Sequence, residues 1–440
     1  MVPSRAGEIF HGSPVGWRRA HAVAAESAGA LGVEPIAVAE AAGRVLAAPV
    51  HAAISLPGFD TAAMDGYAVA GAAPWRVVGR VVTGRADPVP LTPGTAVALP
   101  PGTAMPLPPG TAASLAPKTA ASLPPGTAVP LAPGTAASLA PGTAVEITTG
   151  AMVPAGAAAV VPYETCRRDG LLVHAPAGGR DHIRRAGEDM AAGELLAEAG
   201  TVVSAALLGL IAHTGADLVD VHRRPRVSVV LTGDELTTAG IPGPGQVRDA
   251  LGPLLAALLA RSGAVVTGQR YLPDGADVLR AAVSCASADV VVVTGSASVG
   301  LTDHLRAVLA GLDARLLVDG VACRPGHPQL LAQLPSGSRV VGLPGNPYAA
   351  LVACLTLLVP LLGGLGGRRP EPAWELPVTG DVTPWAGGVR IVPVRVHGGA
   401  ARVVAGARPA SLRAAASADA LACIEPSWAP GATAQLLALP

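Results

Sequence analysis

Cysteine, aromatic side chains and unbalanced charge are all scarce in this 440-residue chain, and each shortage closes off a class of function. The five cysteines, Cys166, Cys285, Cys323, Cys354 and Cys423, stand singly with no C-x-x-C pair. That spacing argues against a disulfide framework or a zinc site and for a reducing compartment. Phe, Trp and Tyr together make up 2% of the residues, too few to stack bases. Thirty-one basic residues balance 31 acidic ones, so the totals advertise no basic face for nucleic acid or acidic lipid. The N-terminal stretch lacks the charged-then-apolar order of a signal peptide, and no uninterrupted apolar run reaches membrane-spanning length. The longest, "AALVACLTLLVPLL" (349–362), carries Pro360 and reads as a buried helix. These absences together predict a soluble, cytoplasmic protein with no nucleic-acid or membrane partner.

Glycine and proline, by contrast, are abundant, at 54 and 43 residues. Many fall in an octapeptide, P-G-T-A-x-x-L-x, that begins at Pro93, Pro101, Pro109, Pro117, Pro125, Pro133 and Pro141. Pro-Gly turns in nearly every unit exclude a continuous helix. A disordered, Pro-rich insert and a small solenoid of stacked V-x-L strands both fit; the small apolar area on offer favours disorder.

The rhythm elsewhere predicts a multidomain α/β plus β protein. Residues 16–50 show helical spacing, and "SAALLGLIAHTGA" (204–216) returns to the same region, giving a segmented helical region over 14–50 and 183–222. Val-rich runs broken by Gly and Pro predict a small β domain over 51–182 that carries the repeat insert 93–140. Alternating apolar strands and helices predict a doubly wound domain over 223–365, with a parallel sheet covered on both faces. A C-terminal β domain is expected over 366–440.

Ligands in doubly wound sheets bind at the carboxyl ends of strands, which directs attention to three loops. "LTGDE" offers Asp234 and Glu235 to a hard cation, or caps the next turn. "VTGSASVG" presents Gly295, Ser296 and Ser298 to an anion, or simply makes a tight strand-to-helix turn; Asp303, soon after, caps a helix or accepts a hydrogen bond from a ring amine. "GLPGNP" contributes Pro344 and Gly345. Outside that set, "GQVRDALGP" holds Asp249 just before a helix, placed for ligand contact or simply for capping, and "FDTAAMDGYAV" holds Asp60 and Asp65, as general base or metal ligand or as a turn whose Asp side chains bind their own backbone; "TTGAMVP" holds Thr149, and "AGEDM" holds Glu188 and Asp189. "RPGHP" fixes Arg324 and His327 between prolines, suited to gripping phosphate or to plain solvation.

Taken in this order, the segments "FDTAAMDGYAV", "ITTGAMVPAGAAAVVPYE", "GEDMAAGELL", "RRPRVSVVLTGDEL", "GQVRDALGP", "TGSASVG", "RPGHPQLL" and "GLPGNPYAALV" resemble the molybdopterin molybdenumtransferases, the family that includes the gephyrin E domain. The resemblance runs from about residue 16 to the C-terminus. It implies a cytoplasmic homodimer with four domains per chain, the doubly wound one being like the molybdopterin adenylyltransferases, and a site between that domain of one subunit and the β domain of the other. It also implies Mg²⁺-dependent hydrolysis of adenylylated molybdopterin, with molybdate inserted at the dithiolene and AMP released. Carried over by motif, Asp65, Thr149, Glu188, Asp234 and Asp249 handle metal and molybdate, with Glu188 and Asp234 as the Mg²⁺ ligands. Gly295, Ser296, Ser298, Asp303, Arg324, His327, Pro344 and Gly345 bind the pterin and its phosphates. The implied partners are the adenylyltransferase that supplies the substrate and the apo-molybdoenzymes that receive the product.

Within the family pattern a single such turn precedes T-G-A, so Pro141 to Ile147 is the native copy and the upstream six read as a tandem expansion. The chain departs from the pattern at Ala62, where the family has Ser before "AMDGYA". It departs again at Ala250 and Leu251, where the family has "RDSNGP", and at Ser296, where it has "SGGVSVG". Arg324 and His327 replace the lysines of "KPGKP". Two functions are therefore carried forward: an active molybdenum-inserting enzyme, and a non-catalytic paralogue that binds molybdopterin or a partner protein.

Overall fold

Continuous buried runs in three strands, Arg226–Thr232, Val290–Thr294 and Arg339–Leu343, flanked by a largely exposed fourth, Val265–Leu272, decide the architecture of the larger part of the molecule. The computed structural model describes residues 14–81, 83–84, 138–295 and 304–439. Both readings of the upstream repeats, and the positions of Ser296, Ser298 and Asp303, lie outside the described residues. The chain divides into two compact units, one of residues 1–50, 196–212 and 216–440, the other of 51–195 and 213–215.

In the larger unit the four strands pair in parallel, in the order 265–272, 226–232, 290–294, 339–343. Val227, Val229, Leu231, Val290 and Val292 point into one buried cluster with the helix Leu251–Arg261 and the run 347–365. Val230, Val291, Val293 and Val340 point into a second cluster with the helices Ala276–Ser284 and Leu305–Ala310. Both faces are covered, which is why the strands read as continuous apolar runs. The sheet is mixed, however: Leu330–Gln333 and Arg315–Asp319 add two antiparallel strands at one edge. Alternation in composition could not distinguish a hairpin here from another parallel crossover.

The apolar stretch near residue 350 is longer than its sequence suggested. Pro347–Leu365 is one helical run of 19 residues, long and apolar enough by length and composition to cross a membrane. Its middle, Cys354–Leu358, opens into a π turn shortly before Pro360, whose missing N–H an ordinary helix would need. Within the unit its most apolar window is 78% buried, so protein rather than lipid covers it.

Residues 36–50 do not form the helix their spacing predicts. Val33–Ala37 is a strand paired antiparallel with Leu218–His222, followed by a single 3₁₀ turn, Val38–Glu40. Beyond it the Leu46 N–H goes to Thr201 O and the Ala47 N–H to Asp220 O. The backbone groups are thus satisfied by distant segments, and tertiary pairing overrides an alanine-rich helical pattern. Only Trp17–Glu26 is helical in this stretch. The unit ends in five strands, Trp374–Thr379, Val389–His397, Ala400–Val403, Ala420–Ile424 and Thr433–Ala438, closed on one another through the pairing of 389–397 with 420–424. Val321–Arg324 joins this sheet by pairing Arg324 opposite Arg390.

The smaller unit is built on a six-stranded sheet with Gly66–Ala70, Thr143–Ile147 and Trp75–Val81 at its centre. Gly66 has no substitute there, because a Cβ would lie 2.1 Å from Val161 O on the neighbouring strand. Thr143–Ile147 comes from the last octapeptide copy, and Leu139 just before it is buried in the same cluster as Ile147. Residues 138–140, expected to belong to the insert, are therefore part of the packed sheet.

Candidate functional site

Register in the smaller unit brings two expected residues together. Gly66 pairs with Ile147, so Asp65 and Thr149, at the ends of adjacent strands, meet. The Thr149 N–H donates to Asp65 Oδ1 at 2.6 Å and the Thr149 hydroxyl donates to the same oxygen at 2.9 Å. The backbone N–H first, and the hydroxyl second, hold the Asp65 carboxyl below its ordinary value. Gly150 follows with φ +77°, a left-handed turn that glycine accepts without cost, and donates its N–H to Ala62 O.

Beside this pair lies a cavity of about 460 Å³, lined by Thr149, Gly150, Ala62, Arg184, Asp189 and His213 among others. Of the expected acidic pair, Asp189 lines it; Glu188 instead accepts the Arg185 N–H at 2.8 Å and closes its own turn. Asp60 is likewise occupied, accepting from the Ala186 N–H and from Arg185 at 2.8 and 2.9 Å. Its carboxyl is lowered chiefly by the Ala186 N–H. Arg184 and His213 were not foreseen. Arg184 is adjacent to the "AGEDM" motif in sequence, but His213 reaches the cavity from a segment some twenty residues further on and left no local signal.

In the larger unit the C-terminal ends of the parallel strands gather a second set. Asp234 and Glu235 follow the strand Arg226–Thr232, and Asp274 follows Val265–Leu272. The Asp274 N–H donates to Asp234 Oδ1 at 3.2 Å. Burial, and then the charges of Asp234 and Glu235, push the Asp274 carboxyl above its ordinary value. Asp274 was not among the expected residues, although it ends a parallel strand as Asp234 does, and that position was its signal. Gly295, with φ +84°, turns directly after Val290–Thr294. A Cβ there would sit 2.4 Å from Thr232 O, and one on Gly345 would sit 3.8 Å from the Gly295 Cα. Gly295 and Gly345 thus approach each other closely, and Pro344 beside Gly345 is buried.

Asp249 takes the capping role that its place before a helix allowed, rather than the metal and molybdate role that the resemblance implied. Its carboxylate accepts the N–H groups of Leu251 and Gly252 and the Tyr271 hydroxyl, at 2.9, 3.0 and 2.8 Å. It caps the helix Leu251–Arg261 and is almost wholly buried. Leu251, one of the departures from the family pattern, packs into the core. Arg324 and His327 belong to the neighbouring sheet, where His327 Nδ1 meets Val321 O at 2.8 Å and the Arg324 guanidinium lies 4.4 Å from the centre of the Trp385 ring.

Among the described residues, no three His, Cys, Asp or Glu side chains converge to hold a metal by themselves. All five cysteines are free, and burial pushes the Cys323 thiol up to about 12. The chemistry available is therefore that of carboxylates, hydroxyls, backbone N–H groups and guanidinium, which suits phosphates and oxyanions.

Known proteins resemble this chain in sequence and in fold. The family described as "MoeA N-terminal region (domain I and II)" matches residues 17–215, and "Probable molybdopterin binding domain" matches 228–364. The chain is 33% identical over 360 residues to Molybdopterin molybdenumtransferase 2 of Mycobacterium tuberculosis, covering 77% of this chain and 76% of that protein. It is 37% identical over 189 residues to a molybdopterin molybdenumtransferase of Nostoc sp., where the match spans 43% of the relative's length. In fold it is similar to the molybdopterin biosynthesis MoeA protein of Pyrococcus horikoshii, with TM-score 0.69 and 24% identity, over 97% of this chain and 99% of that one.

Proposed function

This chain belongs to the molybdopterin molybdenumtransferase family of molybdenum cofactor biosynthesis, and from that premise we propose that it inserts molybdate into adenylylated molybdopterin. In this reaction water cleaves the phosphoanhydride and AMP leaves, while molybdate exchanges oxygen, lost as water with the thiol protons, for the two dithiolene sulfurs of the substrate. Thiols on the substrate ligate the metal, so the protein needs no cysteine cluster.

The observation that carries this reading is that Asp234, Glu235 and Asp274 follow the C-terminal ends of parallel strands, at the same end of the sheet at which Gly295 and Gly345 approach each other. Small residues leave backbone N–H groups open to phosphate oxygens, and Arg324 adds a guanidinium for bidentate pairing. In the smaller unit, Arg184 offers a positive charge, and His213 a ring N–H, to an oxyanion in the cavity. Asp65, held ionised, is a weak proton acceptor near neutrality, so its part is to orient Thr149 rather than to act as a base.

Asp234, Glu235 and Asp274 offer Mg²⁺ oxygen donors without converging on it by themselves; Asp274 is raised by burial and then by the charges of Asp234 and Glu235, and a bound cation would offset those charges. The cation would take its remaining oxygens from phosphate and water, as Mg²⁺ commonly does, because no complete cage is present among the described residues. When bound, it neutralises charge on the phosphate oxygens. Glu188, tied to Arg185, is a less suitable ligand than the sequence implied.

We propose, further, that the protein acts in the cytoplasm as a homodimer, receiving substrate from a molybdopterin adenylyltransferase and passing product to apo-molybdoenzymes. The test is AMP release from adenylylated molybdopterin with molybdate and Mg²⁺. Binding of the pterin without AMP release would favour the non-catalytic reading instead.

A further inference from the structure

We propose that Trp385 is a positioning residue for Arg324, presenting the guanidinium to the anionic part of the substrate; this rests on the function proposed above. Arg324 is exposed and has no carboxylate partner among the described residues. Its register partner on the adjacent strand is another cation, Arg390, whose Nη1 donates to Thr383 O at 3.0 Å. Like charges at paired positions push apart, so nothing in the strand pairing itself holds Arg324 in place.

The Trp385 ring does hold it, with the guanidinium carbon 4.4 Å from the ring centre, where the negative face of the indole attracts a cation. The ring is in turn fixed from below. Trp385 and Gly388 form an antiparallel bridge, and a Cβ on Gly387 would fall 2.5 Å from the indole Cζ2. A Cβ on Gly388 would fall 2.1 Å from Ala322 O, so the turn is pressed against the strand that carries Arg324. Gly387 thus leaves room for the indole against the turn, and Gly388 lets that turn close on the strand that carries Arg324. A shelf of this kind lowers the entropy lost when a long side chain binds an anion, and its effect belongs in affinity rather than in chemistry.

The experiment is equilibrium binding of adenylylated molybdopterin, followed by pterin fluorescence without molybdate, to the full chain and to Trp385→Ala, Trp385→Phe, Arg324→Ala and the Trp385→Ala/Arg324→Ala double variant. We expect Trp385→Ala to weaken binding by about two- to fivefold, with KM raised and kcat unchanged, and Trp385→Phe to restore most of it. In the Arg324→Ala background, Trp385→Ala should have no further effect. A Trp385→Ala loss that persists in that background, or no loss where Arg324→Ala has one, overturns the positioning role. If Arg324→Ala binds normally, the anion-binding role of Arg324 fails first, and the positioning role falls with it.

Discussion

Asp65 Oδ1 takes both the backbone N–H and the hydroxyl of Thr149, at 2.6 and 2.9 Å, so the two residues act as one unit at the mouth of a cavity. The N–H bond does not depend on the threonine side chain. Thr149→Val should therefore leave the Asp65 carboxyl below the ordinary aspartate value, though higher than in the native chain, as read by NMR titration. Asp65→Asn should lower kcat/KM by on the order of 100-fold with no change in melting temperature, because both side chains are exposed. A large drop in melting temperature would mean that the pair is a structural turn.

Asp274 offers a pH test of opposite sign. Its carboxyl is raised, so the folded state holds this proton more firmly than the unfolded chain does. Its contribution is favourable at low pH and is lost as pH rises from the unfolded value through the raised one. Asp274→Asn should flatten that part of the stability curve and slightly raise the melting temperature near neutrality. Mg²⁺ should raise the melting temperature of the native chain by several degrees and that of the variant by much less. An equal rise in both would remove Asp274 from the cation site.

The octapeptides separate into two kinds. Removing residues 93–132, five whole copies, should leave melting temperature and dimer size unchanged. Leu139→Ala, only seven residues further on, should cost about 2–4 kcal/mol, because Leu139 is 5% exposed and packs in the core of the sheet. Denaturant unfolding of the two variants separates appendage from fold. A deletion as damaging as the leucine change would make the repeats structural.

The departures from the family pattern do not all bear on the site. Ala62 lines the cavity, so Ala62→Ser adds a hydroxyl where substrate would lie. Leu251 is 7% exposed in the hydrophobic core, so Leu251→Asn buries an amide and should cost about 1–3 kcal/mol without any gain in turnover. Thermal melts and AMP release of the two single variants test this: Ala62→Ser changes rate, Leu251→Asn changes stability.

Much of this was legible in the chain because strand ends are legible. The Val-rich runs ending in TGDE, TGS and LPG identify the ends of parallel strands, and at that end of the sheet Gly295 lies against Thr232 and Gly345. What escaped was whatever depends on distant pairing. Residues 36–50 look helical in isolation and become a strand and turns because 218–222 satisfies their backbone. Asp249 looked like a site carboxylate, but Tyr271, some twenty residues later, fixes it as a cap. His213 comes to the cavity only through the fold.

The most direct measurement is AMP release and cofactor formation by the purified chain given adenylylated molybdopterin, molybdate and Mg²⁺, beside Asp274→Asn. Turnover by the native chain, lost in the variant while pterin binding persists, is the predicted result. Tight pterin binding with no AMP from the native chain would contradict it and leave a binding protein on a transferase fold.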